Sequence, residues 1–232
     1  MAFKDPKSIT DAGVETGAKK AKLSWDKALL AGFLAGAYIA FGALVAISVS
    51  AGLDPKTWGT LPTLFAGSVF ALGLVLVVIA GAELLTGNMA LVPLAAFRGK
   101  TTLSALVQNF GWVLIGNLLG SLFVAYFLAV QSGVVTDELP LARLADIASA
   151  KAIEESEWQI FLRAVGCNWL VCLAVWMAMA AEDIAGKVLA IFADARHHLG
   201  RRAPQLGLRL PRQPRRRGDL RGPGLLVPLR PP

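Results

Sequence analysis

Charged and uncharged residues alternate along this chain in long blocks. Ala28–Leu53, Leu61–Ala82, Leu103–Val130 and Ala164–Ala181 hold no charged side chain. A helix rises about 1.5 Å per residue, so roughly twenty apolar residues cross the hydrocarbon core of a bilayer. Each block therefore predicts a membrane-spanning helix, and a further apolar run begins at Gly186 and ends at Phe192. The fold class this predicts is all-α: a multi-span membrane bundle. Glycines recur in the first span (Gly32, Gly36, Gly42) and the third (Gly111, Gly116, Gly120). Gly32 and Gly36 form a small-xxx-small pair of the kind that lets two helices approach closely in lipid.

The second span closes in an unusual way. Its apolar run leads into Gly81-Ala82-Glu83-Leu84-Leu85-Thr86-Gly87-Asn88, and a short apolar piece then covers 88–97. That piece is too short to cross again. The pattern predicts a helix broken at membrane depth, with the non-helical residues buried in protein or lining a cavity. A broken span is also the strongest sequence pointer to a transport site. The plainer alternative is an interfacial turn between two spans. The third span carries Gln108, Asn109 and Asn117, and the fourth carries Asn168.

Residues 1–26 are polar and lysine-bearing, and lack the early apolar stretch of a signal peptide. Asp11–Trp25 could form a short amphipathic helix on the cytoplasmic face. Bases gather in this segment and in Arg98–Lys100, whereas 137–163 holds six acids against three bases. The positive-inside bias then places the N-terminus, the Arg98–Lys100 loop and the Glu182–Lys187 loop in the cytoplasm.

Composition agrees with a membrane protein: 55% apolar, 17% charged and a mean hydropathy of +0.57. The net charge of +7 would suggest a nucleic-acid partner, but its distribution excludes that for the body. Residues 1–192 carry ten Lys and three Arg against seven Asp and seven Glu, a net of −1. Residues 193–232 carry ten Arg against two Asp, a net of +8. Cys167 and Cys172 sit inside an apolar run at a spacing that does not put them on one helix face, and no Cys/His set completes a zinc site. No metal, no cofactor and no catalytic residue is expected, and the protein is not expected to be an enzyme.

At the broken helix and the fourth span the sequence resembles the formate–nitrite transporter family. The resemblance is carried by FAGSVFALGLVLVVIAGAELLTGN (Phe65–Asn88), GNLLGSLFVA (Gly116–Ala125) and FLRAVGCNWLVCLAVWMA (Phe161–Ala178). It covers roughly residues 5–192. It implies an aquaporin-like homopentamer in the inner membrane, with one pore per protomer for a small anion: formate, nitrite or hydrosulfide. The family's protomer has six spans in two inverted repeats, with the second and fifth helices broken. By position, Phe70 and Leu74 resemble apolar residues of the cytoplasmic constriction, and Leu84 an apolar gate on the periplasmic side. Thr86 matches the loop hydroxyl that hydrogen-bonds a passing anion, Asn168 a polar pore residue, and Lys151 a base of the periplasmic vestibule. Leu85 stands where some members carry Phe. Read as residues alone, Phe70, Leu74 and Leu84 could equally pack or face lipid, and Thr86 and Asn168 could bond between helices.

The resemblance stops where the composition turns. The family's Pro-containing fifth helix, its Glu-His motif and its sixth span have no counterpart after Phe192, and His197 and His198 fall in an Arg/Pro-rich context. The chain thus divides into a cytoplasmic segment (1–26), a transporter-like domain (27–192) whose second repeat is incomplete, and a tail (193–232) expected to be disordered. A change from Lys to Arg with seven prolines is what a shifted reading frame yields in GC-rich DNA. Arg201-Arg202-Ala203-Pro204 can be written CGT CGA GCA C, which read one base later gives Val-Glu-His. The expectation is a frameshifted product, defective in transport or merely associated with intact protomers.

Overall fold

The computed structural model describes residues 3–199, so the expectations for the tail lie, from residue 200 onward, outside the described residues. The helices are α1 (Pro6–Ala21), α2 (Trp25–Ser50), α3 (Pro55–Trp58), α4 (Leu61–Ala80), α5 (Leu85–Phe97), α6 (Leu103–Phe123), α7 (Glu138–Ser149), α8 (Glu157–Ala180) and α9 (Ile184–Leu199). π-helical turns extend α6 over Val124–Val130 and α7 over Ala150–Glu154. Among the described residues there is no strand, only an isolated bridge between Phe3 and Ala181. Four helices are long and apolar enough to span a membrane: α2, α4, α6 with its π extension, and α8. The all-α membrane fold follows.

Caps set the boundaries. α1 starts earlier than the amphipathic stretch from Asp11, because Asp5 accepts from the backbone N–H groups of Lys7 and Ser8 while Pro6 takes the first helical position. The Ser8 hydroxyl, and after it the Ser8 backbone, hold the Asp5 carboxyl below its usual range. Its contribution is therefore complete above the ordinary carboxylate pKa of 3.8 and fades as the pH falls through the lowered value. Asp5→Ala is expected to speed amide exchange in the first turn of α1 at neutral pH, and less so at pH 3. α8 begins at Glu157, well before Ala164, because Ser156 and Gln159 form a reciprocal capping box. The polar stretch after Asp137, which the hydropathy pattern leaves without an element, holds α7. Arg143 ties α7 to the C-terminal end of α2, donating from Nε to the buried Ser50 hydroxyl at 3.1 Å.

Lipid chains are as apolar as leucine, so span packing relies on close approach rather than on hydrophobic expulsion. The buried positions are accordingly small. Gly32 and Gly36 of α2 meet Gly116 and Gly120 of α6 across a seam so tight that a Cβ on Gly36 would stand 2.0 Å from the Asn117 carbonyl oxygen. On α4, Gly73 takes the same role against α2 opposite Gly42. α1 is docked in like manner, since a Cβ on Gly17 would lie 1.9 Å from the Leu91 carbonyl oxygen of α5. α9 lies against α4 and α8, where Ile191 packs on Ala71 and Ala178. It starts two residues before Gly186 and runs beyond Phe192.

Candidate functional site

The second apolar helix is broken, and the break is shorter than 81–88. α4 ends at Ala80, Gly81 follows in the left-handed conformation (φ 81°), and α5 resumes at Leu85. Thr86, Gly87 and Asn88 therefore occupy the first turn of α5 rather than a loop. A break leaves unpaired backbone groups at both helix ends, and in lipid each must find a partner within the protein.

Asn117 of α6 supplies several of them. Its side-chain amide donates to the carbonyls of Gly32 and Glu83, both at 2.8 Å, and its oxygen accepts from the Leu85 N–H at 3.0 Å. The Glu83 N–H in turn donates to the Ala31 carbonyl of α2 at 3.1 Å. A second set holds the other side. Lys20 Nζ meets Glu83 Oε1 at 2.7 Å, and Asn88 Nδ2 donates to Glu83 Oε2 and to Asn109 Oδ1. Asn109 then donates to the Lys20 carbonyl at 2.9 Å. Asn88 and Asn109 are buried; both amide nitrogens and the Asn109 oxygen are engaged, whereas Asn88 Oδ1 has no hydrogen-bond partner among the described residues. Below this network a cavity of about 410 Å³ opens between α1, the break and α8, lined among others by Lys19, Lys20, Glu83, Leu84 and Asn88.

The residues singled out by sequence distribute unevenly around the break. Leu74 and Leu84 come together on one apolar cluster with Ala35, Val77 and Ala82. The Thr86 hydroxyl is buried and has no hydrogen-bond partner among the described residues. Cys172 of α8 approaches the Thr86 carbonyl at 3.2 Å, and Asn168 stands one turn before Cys172 on α8. Asn168 donates to the Ala164 carbonyl of its own helix. Neither Thr86 nor Asn168 thus makes the interhelical bond that the plainer alternative requires. Phe70 is exposed at 42% on α4, about 15 Å of helix before Ala80. Lys151 is exposed in the π turn that extends α7, before α8 begins.

Two of the expectations do not hold together. The ion pair of Lys20 with Glu83 puts Leu84 on the side of the N-terminal segment, while Phe70 and Leu74 lie further along α4 toward its start. If the N-terminus is cytoplasmic, as the charge bias predicts, Leu84 is the inner apolar residue and Phe70 the outer one. The expected pairing of Phe70 and Leu74 with the cytoplasm, and Leu84 with the periplasm, does not fit a helix that runs inward from its Leu61 end.

The break stands out in the sequence, but its clasp does not. Glu83, Asn88, Asn109 and Asn117 were visible as polar residues inside apolar runs, which in a membrane is itself the signal of a partnered or functional group. Which of them bond each other depends on helix pairing that spacing does not give.

The model of the family described as "Formate/nitrite transporter" matches residues 7–194. The uncharacterized transporter YrhG of Bacillus subtilis is 46% identical over 192 residues, covering 83% of this chain and 71% of that protein. Among solved structures, a chain described as an FNT family ion channel superposes with a TM-score of 0.73 at 29% identity, covering 83% of this chain and 76% of its own. A pentameric formate channel with formate bound superposes with a TM-score of 0.65 at 28% identity, covering 75% and 68%. With a break between α4 and α5 clasped from α6 and with this match over most of its length, the chain belongs to the formate/nitrite transporter family, a family of transport proteins and not of enzymes.

Proposed function

We propose that the chain moves a small monovalent anion, formate or nitrite, past the break between α4 and α5 without covalent chemistry, hydrosulfide being a further candidate of the same size and charge. The observation that carries this is the buried, unpartnered Thr86 hydroxyl. A buried donor without a partner costs free energy on the order of 1–3 kcal/mol, which an anion accepting its hydrogen bond returns. Leu74 and Leu84 exclude bulk water beside it, and Asn168 offers a second donor one turn from the α8 contact. Phe70 forms the outer apolar constriction, and Lys151 offers positive charge on the outer approach. A small anion is costly to take out of water, so apolar narrowing must be offset by such donors and by nearby bases.

The proposed setting is the inner membrane with the N-terminus cytoplasmic. It is supported by the bases of α1 and of the Arg98–Lys100 loop, which lie at the same end of the bundle because α1 packs along α5. A homopentamer is proposed by likeness to the pentameric formate channel. We retain the division into 1–26, 27–192 and 193–232, with the last stretch out of frame, a reading supported by the family match stopping at residue 194. The coding DNA tests it: alternative frames after Phe192 that lack two further apolar spans defeat it. A second reading, a chain that associates with intact protomers without conducting, rests on the family's Glu-His context not occurring here.

Flux into proteoliposomes separates these readings. A frame-repaired chain is expected to pass formate or nitrite, and the unrepaired chain to pass little or none. In the repaired chain Thr86→Val should cut flux about tenfold, the equivalent of one charge-assisted hydrogen bond near 1.4 kcal/mol. Leu84→Ala should raise flux and admit larger anions. No flux of either anion through the repaired chain defeats the proposal.

A further inference from the structure

We propose that Asn117 is a positioning residue for transport. By holding the Glu83 carbonyl toward α6 it denies the Thr86 hydroxyl an intrahelical partner and leaves that hydroxyl free for the anion, a role that rests on the transport proposed above. A serine or threonine hydroxyl inside a helix ordinarily donates to the carbonyl three or four residues back. Thr10, Ser48, Ser50 and Ser68 all do so, each to the fourth carbonyl back at 2.8–3.0 Å. Thr86 lies in α5 and its hydroxyl is buried, yet it makes no such bond.

The break accounts for the exception. The third and fourth residues before Thr86 are Glu83 and Ala82, and both precede the extended Leu84 (φ −96°, ψ 125°) at the head of α5. Their carbonyls stand off the helical ladder, whose first bond runs from the Asn88 N–H to the Leu84 carbonyl. Asn117 fixes this state twice over, donating to the Glu83 carbonyl at 2.8 Å and accepting from the Leu85 N–H at 3.0 Å. A continuous helix from α4 into α5 would need both groups for its own ladder, and would bring the Ala82 carbonyl within reach of the Thr86 hydroxyl. The neighbours leave the hydroxyl alone. α8 meets Thr86 at its carbonyl, through Cys172, while Asn168 is spent on Ala164. The Asn88 amide is spent on Glu83 and Asn109.

Melting curves of the whole chain and flux through the frame-repaired chain test the two halves separately. Thr86→Val removes a buried donor without a partner, so it is expected to raise the melting temperature of the otherwise unaltered chain. In N117A the Glu83 carbonyl loses its partner, and the Thr86 hydroxyl is the nearest side-chain donor not already engaged. Adding Thr86→Val to N117A should therefore lower the melting temperature, a reversal of sign. Should N117A not fold, Asn117→Asp, which leaves at most one donor for the Gly32 and Glu83 carbonyls, should still shrink the gain from Thr86→Val. In the repaired chain N117A should cut flux about as far as Thr86→Val does, and the double variant no further. The proposal is overturned if Thr86→Val lowers the melting temperature of the unaltered chain, or acts alike with and without Asn117. It is overturned equally if the flux losses of N117A and Thr86→Val add in full. Absence of flux through the repaired chain defeats the proposed transport instead, and the melting curves still decide whether Asn117 keeps the hydroxyl free.

Discussion

Gly120→Val is expected to abolish the folded, monodisperse protein, whereas Gly111→Val in the same helix should leave it nearly unaltered. Both substitutions put the same β-branched side chain into α6, so helix propensity cancels between them. What differs is the space. A Cβ at Gly120 would stand 1.9 Å from the Phe33 carbonyl oxygen and 2.8 Å from its carbon, while one at Gly111 meets nothing within 4 Å. The atom it would strike is backbone, so no rotamer change relieves the contact and α6 must move away from α2. Overpacking in a close-packed interior costs typically 1–3 kcal/mol, and a rigid backbone clash lies at or beyond the top of that range. The displacement also carries Asn117 off the Gly32 carbonyl, which opens the clasp of the α4–α5 break. Size-exclusion profiles and melting curves of the two variants measure the difference; equal profiles for Gly120→Val and Gly111→Val would show that the seam does not carry the fold.

How much of this is readable from the chain depends on the kind of residue. The spans are legible because a bilayer imposes a length and forbids charge, which leaves a long one-dimensional signal. Their starts are less so: α8 begins with Ser156 and Gln159, a cap that hydropathy does not register. α7 escaped because its apolar residues are diluted by Asp137, Glu138, Arg143 and Asp146, a pattern closer to a surface loop than to a span. The break announced itself through Gly81 and Glu83, yet its extent did not, because Thr86 and Asn88 are poor helix formers that α5 nevertheless accommodates in its first turn.

The site shows the same division. Thr86 and Asn168 can be picked out as polar residues in apolar surroundings, but only the pairing of α5 with α8 through Cys172 brings them to neighbouring levels. Leu74 and Leu84 are indistinguishable in sequence from the leucines that face lipid. They stand out in the fold because both pack on Ala35, Val77 and Ala82. The order of Phe70, Leu74 and Leu84 across the membrane also needed the fold, since it follows from where α1 is tied and not from the residues themselves.

Substituting either member of the Lys20–Glu83 pair alone is expected to destabilise the protein more than substituting both. The two side chains are only 18% and 13% exposed, and they meet at 2.7 Å. Glu83→Gln keeps an acceptor for Asn88 but leaves the Lys20 ammonium facing the cavity without its carboxylate. Lys20→Met leaves the Glu83 carboxylate with the Asn88 amide as its remaining side-chain donor. Breaking a buried pair from one side costs about 3–5 kcal/mol because the surviving charge is uncompensated, and partial exposure here brings the expectation to roughly 2–3 kcal/mol for each single variant. The double variant K20M/E83Q removes both charges, so its loss should fall below that of either single, which puts it below their sum by about 3 kcal/mol. The readout extends to α1, whose last turn this pair fixes while Gly17 seats its middle against Leu91. Amide exchange in residues 14–21 should therefore quicken in each single variant and slow again in the double. Additive losses, with α1 exchanging alike in all three variants, would mean that the pair is a solvated contact and that α1 is held to the break by packing alone.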